Sequence, residues 1–267
     1  EKDGKFKITR EGRAAVSAGL NVIEYVQVRD KLSKVSNETS DGGLIDLLLK
    51  FSLPQSIRPR ALVPSDIELR LVGLDPPHDR YMNLKKNRDE FKKQVISAWL
   101  DELGVVEAIE RAEYITSQND SISRRTIGGD IGEGDLESLV GICSTIAWNM
   151  SVYCKRVKKS VASRRLALFS RQLTHGVRID LAASDLFDLS VPTESGILAR
   201  LSRTDARTLF DNGYESINAI VRKDIDATKP GFARDRFAKN CGLEQVLAKE
   251  VYKAAIEHLR VGAEEED

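Results

Sequence analysis

The chain has 267 residues, of which 41% are hydrophobic and 31% charged, and its basic and acidic side chains balance to a formal charge of zero. This composition is typical of a folded globular protein and excludes a disordered or fibrous chain. No apolar run approaches the roughly 18 residues of a membrane span, and no signal-peptide pattern opens the chain. Cys143, Cys154 and Cys241 lack metal-site or disulfide spacing, so we expect buried, reduced thiols in a cytoplasmic protein.

The first part of the chain is predicted to be a series of helices that follows one short strand. Residues 5–9 alternate like a strand but have no second strand nearby, so we expect the remnant of a domain that lies upstream. Thr9 is a predicted N-cap, and helical spacing then places one apolar face on Ala15, Val16, Leu20, Ile23, Val26 and Leu32. A second short helix is predicted around residues 44–51, and a proline-bounded loop with a further short element over residues 54–74.

A stronger helix is predicted around Trp99, with Phe91, Val95, Ile96 and Leu103 on the same face. The position of Trp99 within this stripe favours core packing. Residues 116–134 are polar and glycine-rich and predict a surface loop. The glycine run at 128–134 resembles a phosphate loop only superficially, because it contains acids and no lysine. The pattern GxxxxGK[ST] is absent from the sequence, so we predict that this chain does not bind ATP through such a loop. We also predict no catalytic, cofactor-binding or metal-binding residues in it.

The most unusual segment lies between Glu137 and Asp180. Its 42 residues include eight basic side chains and no acidic one. It begins with a predicted helix, N-capped by Asp135, whose apolar stripe is formed by Leu136, Leu139, Val140, Cys143, Ala147, Met150 and Cys154. Trp148 lies about 140° from this stripe, on a line with Lys155 and Lys159. Trp148 either packs against a neighbouring helix or forms a base-stacking platform flanked by phosphate-binding lysines.

A second basic helix is predicted over residues 161–173, with Leu166, Phe169 and Leu173 inward and Arg164, Arg165 and Arg171 outward. His175 and Gly176 are interpreted as the end of this helix, with the glycine in a left-handed turn, rather than as a catalytic site. A short helix is predicted from Leu181 to Leu189.

The last part of the chain contains a weak internal repeat of two helix-hairpin-helix units. The first hairpin centres on Asn212 and Gly213, and the second on Cys241 and Gly242. Such hairpins hold phosphates through backbone N–H groups, aided by nearby cations, here Arg203, Arg207 and Lys249. An acidic tail closes the chain.

These patterns predict an all-α protein. We expect the remnant of a domain with one strand at residues 1–9, a helical bundle at 10–189, a small helix-hairpin-helix domain at 190–262 and an acidic tail at 263–267. The predicted nucleic-acid-binding residues are Trp148, Lys155, Arg156, Lys159, Arg164, Arg165, Arg171, Arg178, Arg203, Arg207 and Lys249.

Three motifs resemble the archaeal DNA-repair helicases that act at stalled forks, to which the helicase portion of polymerase theta is related. They are Asp135-Leu136 at a helix start, Leu173-Thr174-His175-Gly176-Val177-Arg178, and the run from Ala206 to Gly213. In that family, two ATP-binding motor domains precede a winged helix, a helical ratchet domain and a small terminal helical domain. The resemblance implies that this chain is the portion after the motors of a 3′–5′ DNA helicase, with ATP and Mg bound upstream and single-stranded or forked DNA, or RNA, as its partner. It also implies that residues 1–9 are the end of the winged helix and residues 10–189 the ratchet domain.

The sequence departs from that family at the ratchet helix. The positions that match the family's gripping Arg and stacking Trp are Ser138 and Thr145, and Trp148 lies one turn beyond them. The first hairpin also has Leu201-Ser202 where the family usually has a glycine. Two alternatives therefore remain open: a degenerate helicase region that serves as a protein-interaction platform, and a helix-hairpin-helix DNA-binding module of a repair or defence complex.

Overall fold

The structure is a computed structural model that describes residues 8–51, 53, 78–118, 133–192, 197–223 and 232–264. These residues are mostly helical, with one short two-stranded sheet, and this confirms the predicted all-α class. The chain divides into two compact units, Glu1–Gly176 and Val177–Asp267. The division follows the basic helix directly, whereas the sequence placed a domain boundary after residue 189.

The first unit is built from helices, and the starts of the first three are defined by capping side chains. They are α1 (Arg10–Ser17), α2 (Val22–Leu32), α3 (Asp41–Leu48), α4 (His78–Leu100), α5 (Val105–Gln118), α6 (Glu133–Arg156) and α7 (Ser160–His175). Thr9, Asn21 and Ser40 precede α1, α2 and α3, and each accepts a hydrogen bond from a backbone N–H of the first turn. Each such cap contributes about 1 kcal/mol, so these short helices begin at defined residues.

The core of the first unit surrounds α6. The predicted apolar stripe of this helix is buried over its whole length, and so are the predicted inward residues of α7. Trp99 is half-buried against the same core, and its indole N–H donates to the Leu173 carbonyl at 2.9 Å. Helical spacing therefore predicted the central core correctly.

The first helical segment differs from its prediction because Gly19 divides it into α1 and α2. Gly19 has a φ of 75°, in the left-handed region where glycine avoids the clash of a Cβ. The turn changes the angular register, so Val16, Ile23 and Val26 are exposed and that part of the prediction was wrong. Ala15, Leu20 and Leu32 are buried as predicted, and the rest of the buried face is formed by Ala14, Ala18, Tyr25 and Val28.

The predicted loop at 116–134 is shortened at both ends. Helix α5 extends to Gln118, and α6 begins at Glu133, before the predicted N-cap Asp135. The rest of that loop, the segment at 54–74 and the predicted strand up to residue 7 lie outside the described residues. Within the described ranges, no helix combines the length and the apolar character that crossing a membrane requires.

The second unit opens differently from its prediction. Instead of one helix over residues 181–189, it has a short α8 (Ile179–Ala182) and a 3₁₀ turn at Leu186–Asp188. An antiparallel pair that was not predicted follows, β1 (Ser190–Pro192) and β2 (Leu198–Arg200). Three-residue strands are too short for the alternation by which a strand is recognised in a sequence.

Two helix–turn–helix units complete the second unit, at the positions of the predicted repeat. The first joins α9 (Arg203–Asp211) to α10 (Ile217–Arg222), and the second joins α11 (Ala233–Asn240) to α12 (Gln245–Glu264). Each turn contains a left-handed glycine, Gly213 at a φ of 79° and Gly242 at 80°. A Cβ at Gly242 would lie 2.9 Å from the Thr208 methyl group, so the close packing of the two turns also requires glycine there.

The buried face of α12 was only partly predicted. Val251 is buried as expected, but Val246 and Ile256 are exposed. The core contacts come from Ala248, Val251, Tyr252 and Ala255. This face therefore includes the small side chains of Ala248 and Ala255, which a search for large apolar residues overlooks.

Candidate nucleic-acid interface

Helix α6 presents an exposed strip opposite its buried face. Trp148 lies on this strip with 54% of its surface accessible, so it does not pack into the core of the first unit. Gly141 and Thr145 continue the strip at helical spacing on one side of Trp148, and the half-buried Val152 follows on the other. None of these residues is charged. An exposed aromatic ring of this kind is what base stacking requires.

Helix α7 lies antiparallel to α6, and two serine contacts set the register between them. Ser144 Oγ lies 3.0 Å from Ser170 Oγ, and Ser151 Oγ donates to the Ser163 carbonyl at 2.8 Å. The later residue of α6 thus meets the earlier residue of α7. This register places Trp148 level with the middle of α7.

Arg164 and Arg171 lie on the same side of this helix pair as Trp148. At about 100° per residue, both arginines project about 100° from the serine contacts of α7, away from the core. Trp148 projects about 50° from the serine contacts of α6, also away from the core. Arg164 is exposed and Arg171 is half-buried, and they lie one on each side of Trp148 along the helix axes.

The end of α6 adds positive charge to this surface. Lys155 is exposed two turns after Trp148, on nearly the same line of the helix. Arg156, in the last turn, donates to Ser17 Oγ of α1 at 2.8 Å. Lys159 is half-buried between α6 and α7, beside Cys154. Burial raises the pKa of that thiol to about 11, and the Lys159 ammonium partly offsets the rise.

Arg165 is not on this surface, contrary to the prediction. Its side chain is only 4% exposed and forms an ion pair with Asp41. It also donates to the Thr39 carbonyl and to Gln172 Oε1, each at 3.2 Å. Arg165 lies about 100° around α7 from Arg164, on the side that meets the start of α3. Its guanidinium therefore connects two helices and takes no part in the candidate interface.

In the second unit, the predicted cations lie at the start of α8, on α9 and on α12. Arg178 is exposed at the start of α8. Arg207 donates to both carboxylate oxygens of Asp180 at 3.0 Å and lies 3.4 Å from Asp211. The hydrogen bond from Arg207 lowers the pKa of Asp180. Because two carboxylates already neutralise it, Arg207 is a poor candidate for a phosphate contact.

Arg203 and Lys249 are half-buried at separate places in the second unit. Arg203 begins α9, directly after the N-cap Ser202. Lys249 lines a cleft of about 420 Å³ along α12, with the mixed charges of Arg234, Glu250, Lys253, Glu257 and Arg260. Cations interspersed with carboxylates are typical of a solvated surface, so this cleft is a weaker candidate than the acid-free surface of α6 and α7.

Two arginines of α1 were missed by sequence reasoning. Arg10 and Arg13 line a cleft of about 450 Å³ together with Arg156. The spacing of Arg10, Arg13 and Ser17 does place them on one stripe of α1. The contact between Ser17 and Arg156 joins that stripe to the end of α6, and a contact between residues so distant in sequence is not visible in a local pattern.

The arrangement is suited to binding rather than to covalent chemistry. An indole ring and guanidinium groups bind bases and phosphates, and a guanidinium stays protonated in proteins. Burial raises the pKa of the Cys143 thiol to about 12, and a thiol that stays protonated is a poor nucleophile. Among the described residues, no group of three His, Cys, Asp or Glu side chains is placed to hold a metal ion.

The residues at which the sequence departs from the helicase family can be located individually in the structure. Ser138 and Thr145 are both exposed on α6, and the Thr145 hydroxyl donates to the Gly141 carbonyl at 2.9 Å. Trp148 lies one turn further along the same exposed strip. No protein-family model matches the sequence, and no curated protein sequence is significantly similar to it.

Proposed function

We propose that the chain is the C-terminal accessory region of an ATP-dependent 3′–5′ DNA helicase, and that its first unit binds and guides single-stranded DNA. The observation that carries this proposal is the exposed Trp148 between Arg164 and Arg171, on a surface drawn from an acid-free segment. A base would stack on the indole ring, while the flanking phosphates would contact the arginines and Lys155. Contacts of this kind do not depend on base identity, which suits a protein that moves along a strand.

The departures at Ser138 and Thr145 are compatible with this proposal. Neither side chain can stack on a base, but both lie on the strip of α6 that Trp148 continues. A stacking residue one turn away would contact the same strand at a shifted position. ATP and Mg would be held by motor domains of the same chain or of a partner chain, since the sequence lacks a phosphate loop. Three buried cysteines support a cytoplasmic location.

The test is the binding of fluorescein-labelled oligo(dT) to the wild-type protein and to Trp148→Ala, measured by fluorescence anisotropy. A stacked base contributes about 1–3 kcal/mol, so we expect Trp148→Ala to weaken binding by about 5- to 160-fold. Thermal unfolding should be little changed, because the indole ring is exposed. Each phosphate contact contributes about −0.7 to the slope of log affinity against log salt, so Lys155→Gln should reduce that slope by about this amount.

One observation favours a second candidate, a protein-interaction platform. The strip that contains Trp148 is uncharged, and Ile142 is exposed beside it. Such a strip also suits a protein partner, in which a tryptophan often supplies much of the binding energy. Wild-type protein that fails to bind oligo(dT) at low salt, or Trp148→Ala protein that binds it as tightly as wild type, would leave the platform as the better explanation.

A further inference from the structure

We infer that the cleft between α1 and the end of α6 binds a phosphate group, and that this phosphate belongs to the strand that stacks on Trp148. The source of the phosphate rests on the function proposed above, whereas the cleft itself is defined by its residues. It has a volume of about 450 Å³ and is lined by Arg10, Arg13 and Arg156, among others. Neither the acid-free segment nor the family resemblance indicates the two arginines of α1.

Among the described residues that line this cleft, the charge is of one sign, because three are arginines and none is acidic. The acid next to Arg10 in sequence, Glu11, lies about 100° around α1. It faces another direction, since it adds to the rise that burial produces in the pKa values of Tyr25 and Tyr153. Converging arginines without a carboxylate favour a tetrahedral anion, to which each guanidinium can donate two hydrogen bonds.

The guanidinium of Arg156 and the backbone of α1 are held in place before any ligand binds. Arg156 donates to Ser17 Oγ at 2.8 Å, and the Ser17 hydroxyl donates to the Ala14 carbonyl at 3.2 Å. Arg10, Arg13 and Ser17 share one stripe of α1, whose first turn is capped by Thr9 Oγ1 at 3.0 Å from the Gly12 N–H. Binding therefore requires little additional ordering of the backbone, which increases affinity.

The cleft also contains apolar groups that suit a nucleotide rather than a bare ion. Ile8 and Val16 line it, and both are exposed to solvent. A sugar or the face of a base next to the bound phosphate would cover these side chains and remove apolar surface from water. A nucleic-acid strand is complementary to this combination, because its phosphates match the cations and its sugars and bases match the apolar surface.

The cleft lies further along α6 from Trp148, in the direction of the C-terminal end of the helix. Asn149 donates to the Gly19 carbonyl at 3.4 Å, and Arg156 contacts Ser17, so lower-numbered residues of α1 lie further toward the end of α6. Lys155 lies between Trp148 and this cleft along α6. A strand that stacks on Trp148 and continues past Lys155 therefore reaches Arg156, Arg13 and Arg10 in turn.

The test measures oligo(dT) binding by three forms of the full chain. They are the wild type, the double variant Arg10→Gln/Arg13→Gln and the control variant Arg29→Gln. Arg29 is an exposed arginine of α2 that lies 3.3 Å from the Asp30 carboxylate, away from the cleft. Loss of two phosphate contacts should reduce the salt slope by about 1.4 and weaken binding about 25-fold at about 0.1 M salt. The control variant should match wild type. If the double variant does not fold, the single variant Arg13→Gln replaces it, and we expect a slope reduced by about 0.7 and binding weakened about 5-fold at about 0.1 M salt.

A second measurement uses inorganic pyrophosphate as the ligand and follows the arginine Nε–H resonances of the wild-type protein by NMR. Saturable shifts for Arg10, Arg13 and Arg156 support the cleft as a phosphate site. If oligo(dT) does not bind while these shifts occur, the proposed nucleic-acid function fails and the cleft is a site for a free phosphate. If oligo(dT) binding depends on Trp148 but not on Arg10 and Arg13, the cleft inference fails and the proposed function stands. If neither oligo(dT) nor pyrophosphate binds, the proposed function and the cleft inference both fail.

Discussion

Arg164 and Arg165 are neighbours in the sequence but have opposite environments. Arg164 is exposed on the candidate interface, whereas the buried Arg165 joins α7 to Asp41 at the start of α3. Removal of one partner from a buried ion pair leaves an uncompensated charge or unsatisfied polar groups, which is strongly destabilising. The two adjacent positions therefore provide a matched pair for mutation.

We expect Arg165→Ala to lower the free energy of unfolding of the first unit by about 2–4 kcal/mol, a value reduced from that of a fully buried pair because Asp41 is partly exposed. Arg164→Ala should leave the unfolding midpoint near that of wild type but weaken oligo(dT) binding. Urea unfolding followed by circular dichroism measures the first effect, and anisotropy the second. Equal destabilisation by the two variants would contradict this assignment.

Tyr25 and Tyr153 form a buried pair that links α2 to α6. Their hydroxyl oxygens lie 2.5 Å apart and their ring centroids 4.8 Å apart. Burial raises the pKa of both phenols. Because the folded pKa values lie above the unfolded value of about 10, the stability from this pair is fully present below that pH. It is lost as the pH rises through the raised values.

A double-mutant cycle tests this pair. Tyr25→Phe or Tyr153→Phe alone leaves one buried hydroxyl without its partner, at a cost of about 1–3 kcal/mol. The double variant should cost less than the sum of the two, because it leaves no unpaired hydroxyl. We expect this coupling in urea unfolding at pH 7 and its decline above about pH 10. Additive single effects at pH 7 would show that the hydroxyls do not interact.

At the scale of elements, helix ends decide where the basic residues lie. Helix α6 ends in a motif in which the Lys159 N–H bonds the Cys154 carbonyl at 2.8 Å and the Lys158 N–H bonds the Lys155 carbonyl at 3.1 Å. The motif places Lys158 at a φ of 63°, where glycine is usual. The same arrangement at Gly19 and Gly213 uses glycine. Lys158 therefore holds a strained backbone conformation at the junction of the two basic helices.

We expect Lys158→Gly to stabilise the first unit by about 0.5–1 kcal/mol. A left-handed non-glycine residue costs about 1–2 kcal/mol, and the added flexibility of an unfolded glycine offsets part of the gain. Lys158→Ala is the control, because it removes the same charge but keeps the left-handed Cβ. Chemical unfolding that ranks Lys158→Gly no higher than Lys158→Ala would contradict the strain argument.

Single helices were predicted well where one period ran without interruption. The stripe from Leu136 to Cys154 and the inward face of α7 match the structure because each lies within one helix. The period failed across Gly19, where the left-handed turn reset the register. The helical period also failed to predict the position of Arg165. This long polar side chain lies at the edge of the buried face of α7, and its ion pair with Asp41 determines that it is buried.

At the scale of the whole molecule, the three cysteines report on the two units separately. All three are buried, as predicted, with Cys143 and Cys154 in the first unit and Cys241 in the second. Thiols react as thiolates, and burial raises the pKa of Cys143 to about 12 and of Cys154 to about 11. In the folded protein these thiols should therefore be nearly inert at neutral pH.

We expect Cys143 and Cys154 to become reactive at one common urea midpoint, measured by thiol labelling with an aromatic disulfide reagent. Cys241 should follow the unfolding of the second unit, because each unit has its own core. Single-cysteine variants assign each signal. Labelling of Cys143 well before Cys154, or rapid labelling of either in native protein, would show that the first unit is not one cooperative structure.

The sequence by itself determined the all-α class, the buried faces of α6 and α7, the two glycine turns of the second unit and the burial of the cysteines. These features depend on local period and on backbone preference, which are encoded within a few residues of each position. Tertiary structure decided that Trp148 is exposed, that Arg165 and Arg207 are engaged by carboxylates, and that Arg10 and Arg13 meet Arg156. Each of those outcomes depends on a contact between residues far apart in the chain, and a local pattern contains no information about such a contact.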